Sequence, residues 1–228
     1  MDTLSLLRGL RFIDSFFPSG GYAFSSGLEA AVQGGAVRNV DDLSRYVKDL
    51  FRGGIRRREA VAVAVAHQAV ATGRLEAALK VDRELDAMKI GRESRMASRQ
   101  MGRQVIRVAA DQFREHRLLE EFRTAIEEDR TPGHLPVSIG LALAACGWTR
   151  TDTIAAYLYQ TAVGFVSAAM KLLPVGQREG QRLLESWALL LTELSRQVQG
   201  RSVLMSWSPV QDIYAMRHSR LESRLFRS

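Results

Sequence analysis

Between Leu183 and Val198 the apolar residues Leu183, Leu184, Trp187, Leu190, Leu191, Leu194 and Val198 share one arc of about 120° when the chain is wound at about 100° per residue. Arg182, Glu185, Glu193 and Arg196 take the other side, so the spacing predicts a core-facing helix, closed by Gly200. A second helix start is legible at Asn39, a capping residue followed by Asp41 and Asp42 where the helix dipole favours acids, then by Leu43, Tyr46, Val47 and Leu50. Gly53 and Gly54 are expected to break that helix. Val61, Val63 and Val65 alternate as in a strand, but alanines fill the gaps, both faces are apolar and no turn residues bound the run, so a buried helix is predicted. Helices over 2–13, 74–88, 92–115, 136–147 and 151–173 complete the pattern, with no strand or hairpin signal against them. The expected fold is all-α: a single compact multi-helix bundle domain of about eight to ten helices over 1–207, followed by a basic C-terminal tail, 208–228.

Segment 154–173 is long enough to cross a bilayer and carries only Lys171 as a charge. Gln160, Thr161 and Ser167 interrupt it, Pro174 ends it and no second span exists, so a central buried helix is predicted and no membrane partner. Its Ala162, Gly164, Ala168 and Ala169 would let neighbouring helices come close, within the monomer or across a dimer contact.

The 228 residues are 46% hydrophobic and 25% charged, which fits one globular unit and argues against disorder away from the ends. Met1-Asp2-Thr3, with Arg8 and Arg11 interrupting the apolar stretch that follows, lacks the order of a secretory signal. The single cysteine, Cys146, lies in an apolar run as a small buried hydrophobe, which permits no internal disulfide and fits a reducing cytoplasm. The net charge of +7 is dominated by arginine, 28 of the 32 basic residues. Its planar fork suits carboxylates, phosphates and protein interfaces, so the partner could be an acidic protein, a nucleic acid or an anionic membrane.

No chemistry-bearing spacing emerges. Phe17-Pro18-Ser19-Gly20-Gly21 and Gly176-Gln177-Arg178-Glu179-Gly180-Gln181 lack the phosphate-wrapping pattern of nucleotide-hydrolysing loops. There is no nucleophile elbow and no histidine pair with an intervening glutamate, and His67, His116, His134 and His218 are scattered. No catalytic residue, cofactor or permanent metal site is expected; weak transit of a metal ion would leave no such signature.

The expected functional surfaces are cationic. On the helix after Gly91, Arg92, Arg95, Arg99, Arg103 and Arg107 form one stripe, opposite Ala97, Ser98, Met101, Val105 and Val108. The stripe is either a solvated face neutralised by nearby acids or an interface; nucleic-acid binding is a third reading, weakened because no aromatics interleave to stack on bases. In the tail, Ser208, Pro209 and Gln211 suggest a capping box, and a helix from Asp212 to Ser228 would align Arg217, Arg220, Arg224 and Arg227. With so few apolar side chains this end either frays or orders on a partner.

Phe16-Phe17-Pro18-Ser19-Gly20-Gly21-Tyr22-Ala23-Phe24-Ser25-Ser26-Gly27-Leu28-Glu29 resembles the N-terminal motif of the urease accessory proteins of the UreF family. Lys171-Leu172-Leu173-Pro174-Val175-Gly176-Gln177 is similar to a second family stretch, and Met216-Arg217-His218 with Ser223-Arg224-Leu225-Phe226-Arg227-Ser228 to the family's ending, although Ser219 and Glu222 depart from it. The resemblance implies an all-helical homodimer that serves as a scaffold, which agrees with the absence of catalytic spacings and with a cytoplasmic location. It would bind a second urease accessory protein (UreD/UreH type) and with it recruit a nickel-carrying GTPase (UreG type) to apo-urease, controlling the GTPase and offering nickel an internal route. By the same resemblance Arg217, His218, Arg224, Leu225, Phe226 and Arg227 contact the second accessory protein. Pro18, Gly20, Gly21, Tyr22, Arg95, Arg99, Arg103 and Lys171 are the other candidate partner contacts, the glycine loop being either an interface or a tight turn. The competing function is a basic helical nucleic-acid-binding module.

Overall fold

A helix that is apolar on every side must be buried on every side. Two segments meet that description, α4 (Glu59–Thr72) and α8 (Leu135–Ala145), and they lie against each other at the centre of the molecule. Their backbones approach closely at Gly140, where a Cβ would stand 2.5 Å from the Val63 carbonyl oxygen. In this computed structural model, which describes residues 2–227, α6 (Arg92–Gln112) packs on the other side of α8, while α9 (Arg150–Leu172) touches α4, α8 and α10 (Gln177–Gln197). α9 is long and apolar enough to cross a membrane, yet Ile154, Leu158, Ala162, Phe165 and Ala169 are buried inside the body. Cys146 closes α8 in the core, where burial pushes its thiol up to about 12 and leaves it unreactive.

Around this centre stand α1 (Thr3–Ile13), α2 (Leu28–Gln33), α3 (Val40–Leu50), α5 (Leu75–Met88), α7 (Arg117–Glu127) and α11 (Pro209–Arg217). The described residues are thus all-α, with eleven α-helices and no strand, slightly more helices than the eight to ten expected. The cap at Asn39 forms as predicted, its side chain accepting from the Asp42 amide at 2.9 Å. The predicted break at Gly53 and Gly54 does not occur: Phe51–Ile55 continue as a π-helical turn toward α4. Glycine serves packing there, because a Cβ on Gly53 would lie 2.6 Å from the Trp207 carbonyl oxygen and one on Gly54 2.8 Å from Ser208 Oγ.

The tail departs from its predicted form. α11 begins with Pro209 at its first position, but Ser208 makes no side-chain cap. A 3₁₀ turn, His218–Arg220, follows, and from Leu221 the backbone is irregular, so Arg217, Arg220, Arg224 and Arg227 share no helical face. The cause is lateral capture: the Leu225 and Phe226 amides bond to Glu29 instead of to the preceding helical turn. Met1, and Ser228 at the end of the predicted tail helix, lie outside the described residues.

Candidate docking site at the junction of three sequence motifs

Gly20 and Gly27 take left-handed backbone, at φ 78° and 85°, and so turn the chain between α1 and α2 around the short Gly21–Ala23 3₁₀ turn. At Gly27 the turn also admits the tail, since a Cβ there would meet the Ala215 backbone nitrogen at 3.0 Å. α2 then carries Glu29 in its first turn with 1% exposure. A buried carboxylate must be surrounded by donors. The Leu225 and Phe226 amides donate to Glu29 at 2.7 and 3.2 Å, and His218 Nε2 lies 2.8 Å from its Oε2. His218, itself fully buried, turns its Nδ1 to Glu93 Oε2 on α6 at 2.7 Å, while Arg224 donates to the other Glu93 oxygen at 3.0 Å. Each ring nitrogen of His218 therefore faces a carboxylate oxygen.

The remaining bonds close the tail onto the first motif. The Arg227 amide donates to the Ala23 carbonyl at 2.8 Å, and Gln33 Nε2 to the Ser223 carbonyl at 3.0 Å. From the second motif, Lys171 places its ammonium 5.1 Å from the centroid of the nearly buried Phe226 ring. Stretches about two hundred residues apart in sequence thus form one surface, from which Phe16, Tyr22 and Leu225 project, 94%, 77% and 72% exposed. Pro18, Gly20 and Gly21 lie in the loop beside it.

The arginine stripe is only partly open. Arg99 donates twice to Asp86 Oδ1, at 2.8 and 2.5 Å, and Arg103 donates to the Pro132 carbonyl at 3.0 Å. Asp86 also accepts from His134 Nε2 at 2.9 Å, Ser98 Oγ lies 3.0 Å from His134 Nδ1, and burial together with Lys89 and Arg99 pushes the imidazole down to about 4, against the pull of Asp86. Nearby acid does neutralise the stripe at Arg99, while half-buried Arg95 remains on the same helix.

Beneath the glycine loop lies a cavity of about 280 Å³, lined by Gly21, Tyr22, Gln160, Thr161, Lys89 and Glu59. Burial would raise Glu59, but Arg58 at 3.1 Å and Lys89 at 2.9 Å outweigh it and hold the carboxyl at about 2. Among the described residues no group of three or more His, Cys, Asp or Glu side chains is disposed to hold a metal ion.

The UreF family model matches residues 37–188, about two thirds of the 228. Urease accessory protein UreF of Actinobacillus pleuropneumoniae is 32% identical over 224 residues, covering 96% of this chain and 97% of that protein. The namesake from Haemophilus influenzae is 29% identical over 229 residues and that from a Bacillus species 28% over 225, each aligned over more than nine tenths of both chains. The chain belongs to the UreF family. Its relatives are named as accessory proteins of urease, and the chain is accordingly a non-catalytic member of that family. The matched span leaves out the Pro18 loop and the tail, the two ends that the fold brings together over Glu29.

Motif reading named the tail residues and Lys171 as candidate partner contacts but assigned no role to Glu29, Glu93 or Glu59. Glu29 stood in a quoted motif, where an acid in the first turn of a helix reads as favourable capping and no more. No local signal couples residues 29, 93 and 218.

Proposed function

We propose that the chain is a cytoplasmic, non-enzymatic scaffold of urease maturation that works as a homodimer. It joins a second accessory protein (UreD/UreH type) and a nickel-carrying GTPase (UreG type) to apo-urease and so assists nickel insertion. Family membership supports the general role. The observation that carries the finer reading is the meeting of three motifs over the buried Glu29 carboxylate. In this reading the tail residues divide their work: His218 and Phe226 point inward and hold the tail, whereas the exposed Arg217, Leu225 and Arg227 face the second accessory protein. The partner completes the order of a tail already docked on its own body. Arg95 and the open part of the α6 stripe, with Pro18, Gly20, Gly21 and Tyr22, contribute to the same assembly. The nucleic-acid alternative is disfavoured by the engagement of Arg99 with Asp86.

Co-purification of the full chain with each of the three proteins tests the reading. Capture of the second accessory protein is expected, and it should weaken on Leu225→Asp or Arg227→Glu while the chain keeps its fold. A chain that captures none of the three would refute it.

A further inference from the structure

Between α10 and α11 the chain runs without regular secondary structure from Arg201 to Ser208, and from Val203 onward its side chains alternate between solvent and the body. Here the alternation is inverted relative to what solvent favours. Val203, Met205 and Trp207 point outward with 72%, 52% and 76% of their surface exposed, while Leu204 and Ser208 are buried and Ser206 turns in to accept from Arg58 Nη1 at 3.2 Å. The segment is held in that pose. The Met205 amide donates to the Arg57 carbonyl at 3.0 Å, and Gly53 lies under the Trp207 carbonyl with no room for a Cβ.

Three arginines adjoin this apolar row: Arg57, whose carbonyl holds the Met205 amide, its neighbour Arg56, and Arg201 two positions before Val203. Arg56 donates to the side-chain oxygen of Gln197 and Arg201 to its carbonyl at 3.0 Å, so one residue gathers both; Arg57 follows Arg56 in sequence and is exposed, as is Arg201. Glu193, bound to Gln197 Nε2 at 2.6 Å, is the acid facing the group. Like charges held together beside exposed apolar side chains are a surface that lacks its counterpart. A second copy of this chain does not supply it, because the same face would bring arginine against arginine.

We propose that the 203–207 row and its Arg56, Arg57 and Arg201 rim form a docking surface for a partner polypeptide segment that alternates acidic with aliphatic residues. Leucine-like side chains cover Val203, Met205 and Trp207, and carboxylates between them meet the guanidinium forks. Three apolar side chains at i, i+2 spacing fit a polypeptide laid alongside better than a nucleic acid, for which the row offers one aromatic ring to stack on. The surface uses none of the side chains of the Glu29 junction and does not depend on the urease reading.

Intrinsic fluorescence makes the test direct. Of the three tryptophans, Trp148 and Trp187 are 7% and 0% exposed, so quenching by acrylamide reports chiefly on Trp207. The full chain is titrated with short synthetic peptides of alternating glutamate and leucine, of glutamate and serine, and of lysine and leucine. Separate titrations use phosphatidylserine vesicles and oligothymidylate. The glutamate–leucine peptide should shift the emission to the blue and shield Trp207, with affinity falling as salt rises. Arg57→Glu with Arg201→Glu should weaken it at least about tenfold, and Val203→Ser with Met205→Ser by a similar factor, at unchanged melting temperature. Absence of shielding, equal shielding by either control peptide, undiminished affinity after charge reversal, or stronger shielding by vesicles or oligonucleotide would each overturn the proposal.

Discussion

Replacing Glu29 by alanine removes the acceptor on which the C-terminal tail is hung. The carboxylate receives the Leu225 and Phe226 amides and faces His218. Hydrogen bonds to a charged group contribute about 1.5–3 kcal/mol each, so three of them amount to about 4.5–9 kcal/mol. The apolar hold that remains is smaller, since burying a ring such as that of Phe226 contributes about 2–3 kcal/mol. The tail should therefore leave the body in Glu29→Ala rather than stay docked with buried donors unpaired. Hydrogen exchange followed by mass spectrometry reads this segment by segment. Peptides covering 218–227 should lose at least about two powers of ten in protection, corresponding to about 3 kcal/mol, while those of α8 and α9 keep theirs. Glu29→Gln retains one acceptor oxygen and should fall between. Unchanged exchange in the tail would refute the reasoning, as would loss of protection spread evenly over the whole chain, because Glu29 would then hold the core and not the tail.

Gly102→Ala should cost about 3 kcal/mol or more and lower the melting temperature by roughly 6–12 °C, because its Cβ would stand 2.3 Å from the Gly133 carbonyl oxygen, where only backbone could give way. Stability should fall as pH drops from about 6.5 toward 4: His134 is held neutral to about 4 in the folded protein but titrates near 6.5 when unfolded, so the unfolded chain binds the extra proton. The loss is on the order of 3 kcal/mol, and urea titrations across this range should show it in the natural chain but not in His134→Gln. Glu59, held at about 2, adds its own loss only below about 4.5, as the unfolded carboxyl takes up its proton. Lys171→Ala should reduce protection of the tail by a few-fold at most, since an exposed cation over an aromatic ring contributes about 0.5–1 kcal/mol, whereas Phe226→Ala should lower it by roughly one and a half to two powers of ten while the Glu29 bonds keep the tail docked.

Elements whose sequence carries their whole cause were legible. α10 has its apolar arc and α3 its Asn39 cap, and both formed, although α10 starts at Gln177, earlier than its apolar face suggested. α2 is six residues long, too short for a period to register. α7 has apolar residues at helical spacing, but the Phe113–His116 turn before it holds neither glycine nor proline to punctuate the chain. The tail was misread as a longer helix because the residue that bends it is nearly two hundred positions away. Its partners on Glu29 and Glu93, like the Arg58–Glu59–Lys89 cluster, are spatial pairings that leave no local pattern. The arginine stripe shows the converse case, in which the pattern was visible but the neutralising Asp86 on another helix was not.

The central claim, that this chain works by assembling other proteins through the surface built over Glu29, is tested most directly by native mass spectrometry of the chain mixed with the second accessory protein, the GTPase and apo-urease. The account predicts discrete complexes containing two copies of the chain, which lose the second accessory protein when Glu29→Ala replaces the natural residue. Formation of the same complexes with that variant, or activation of urease in a mixture from which the chain is omitted, would contradict it.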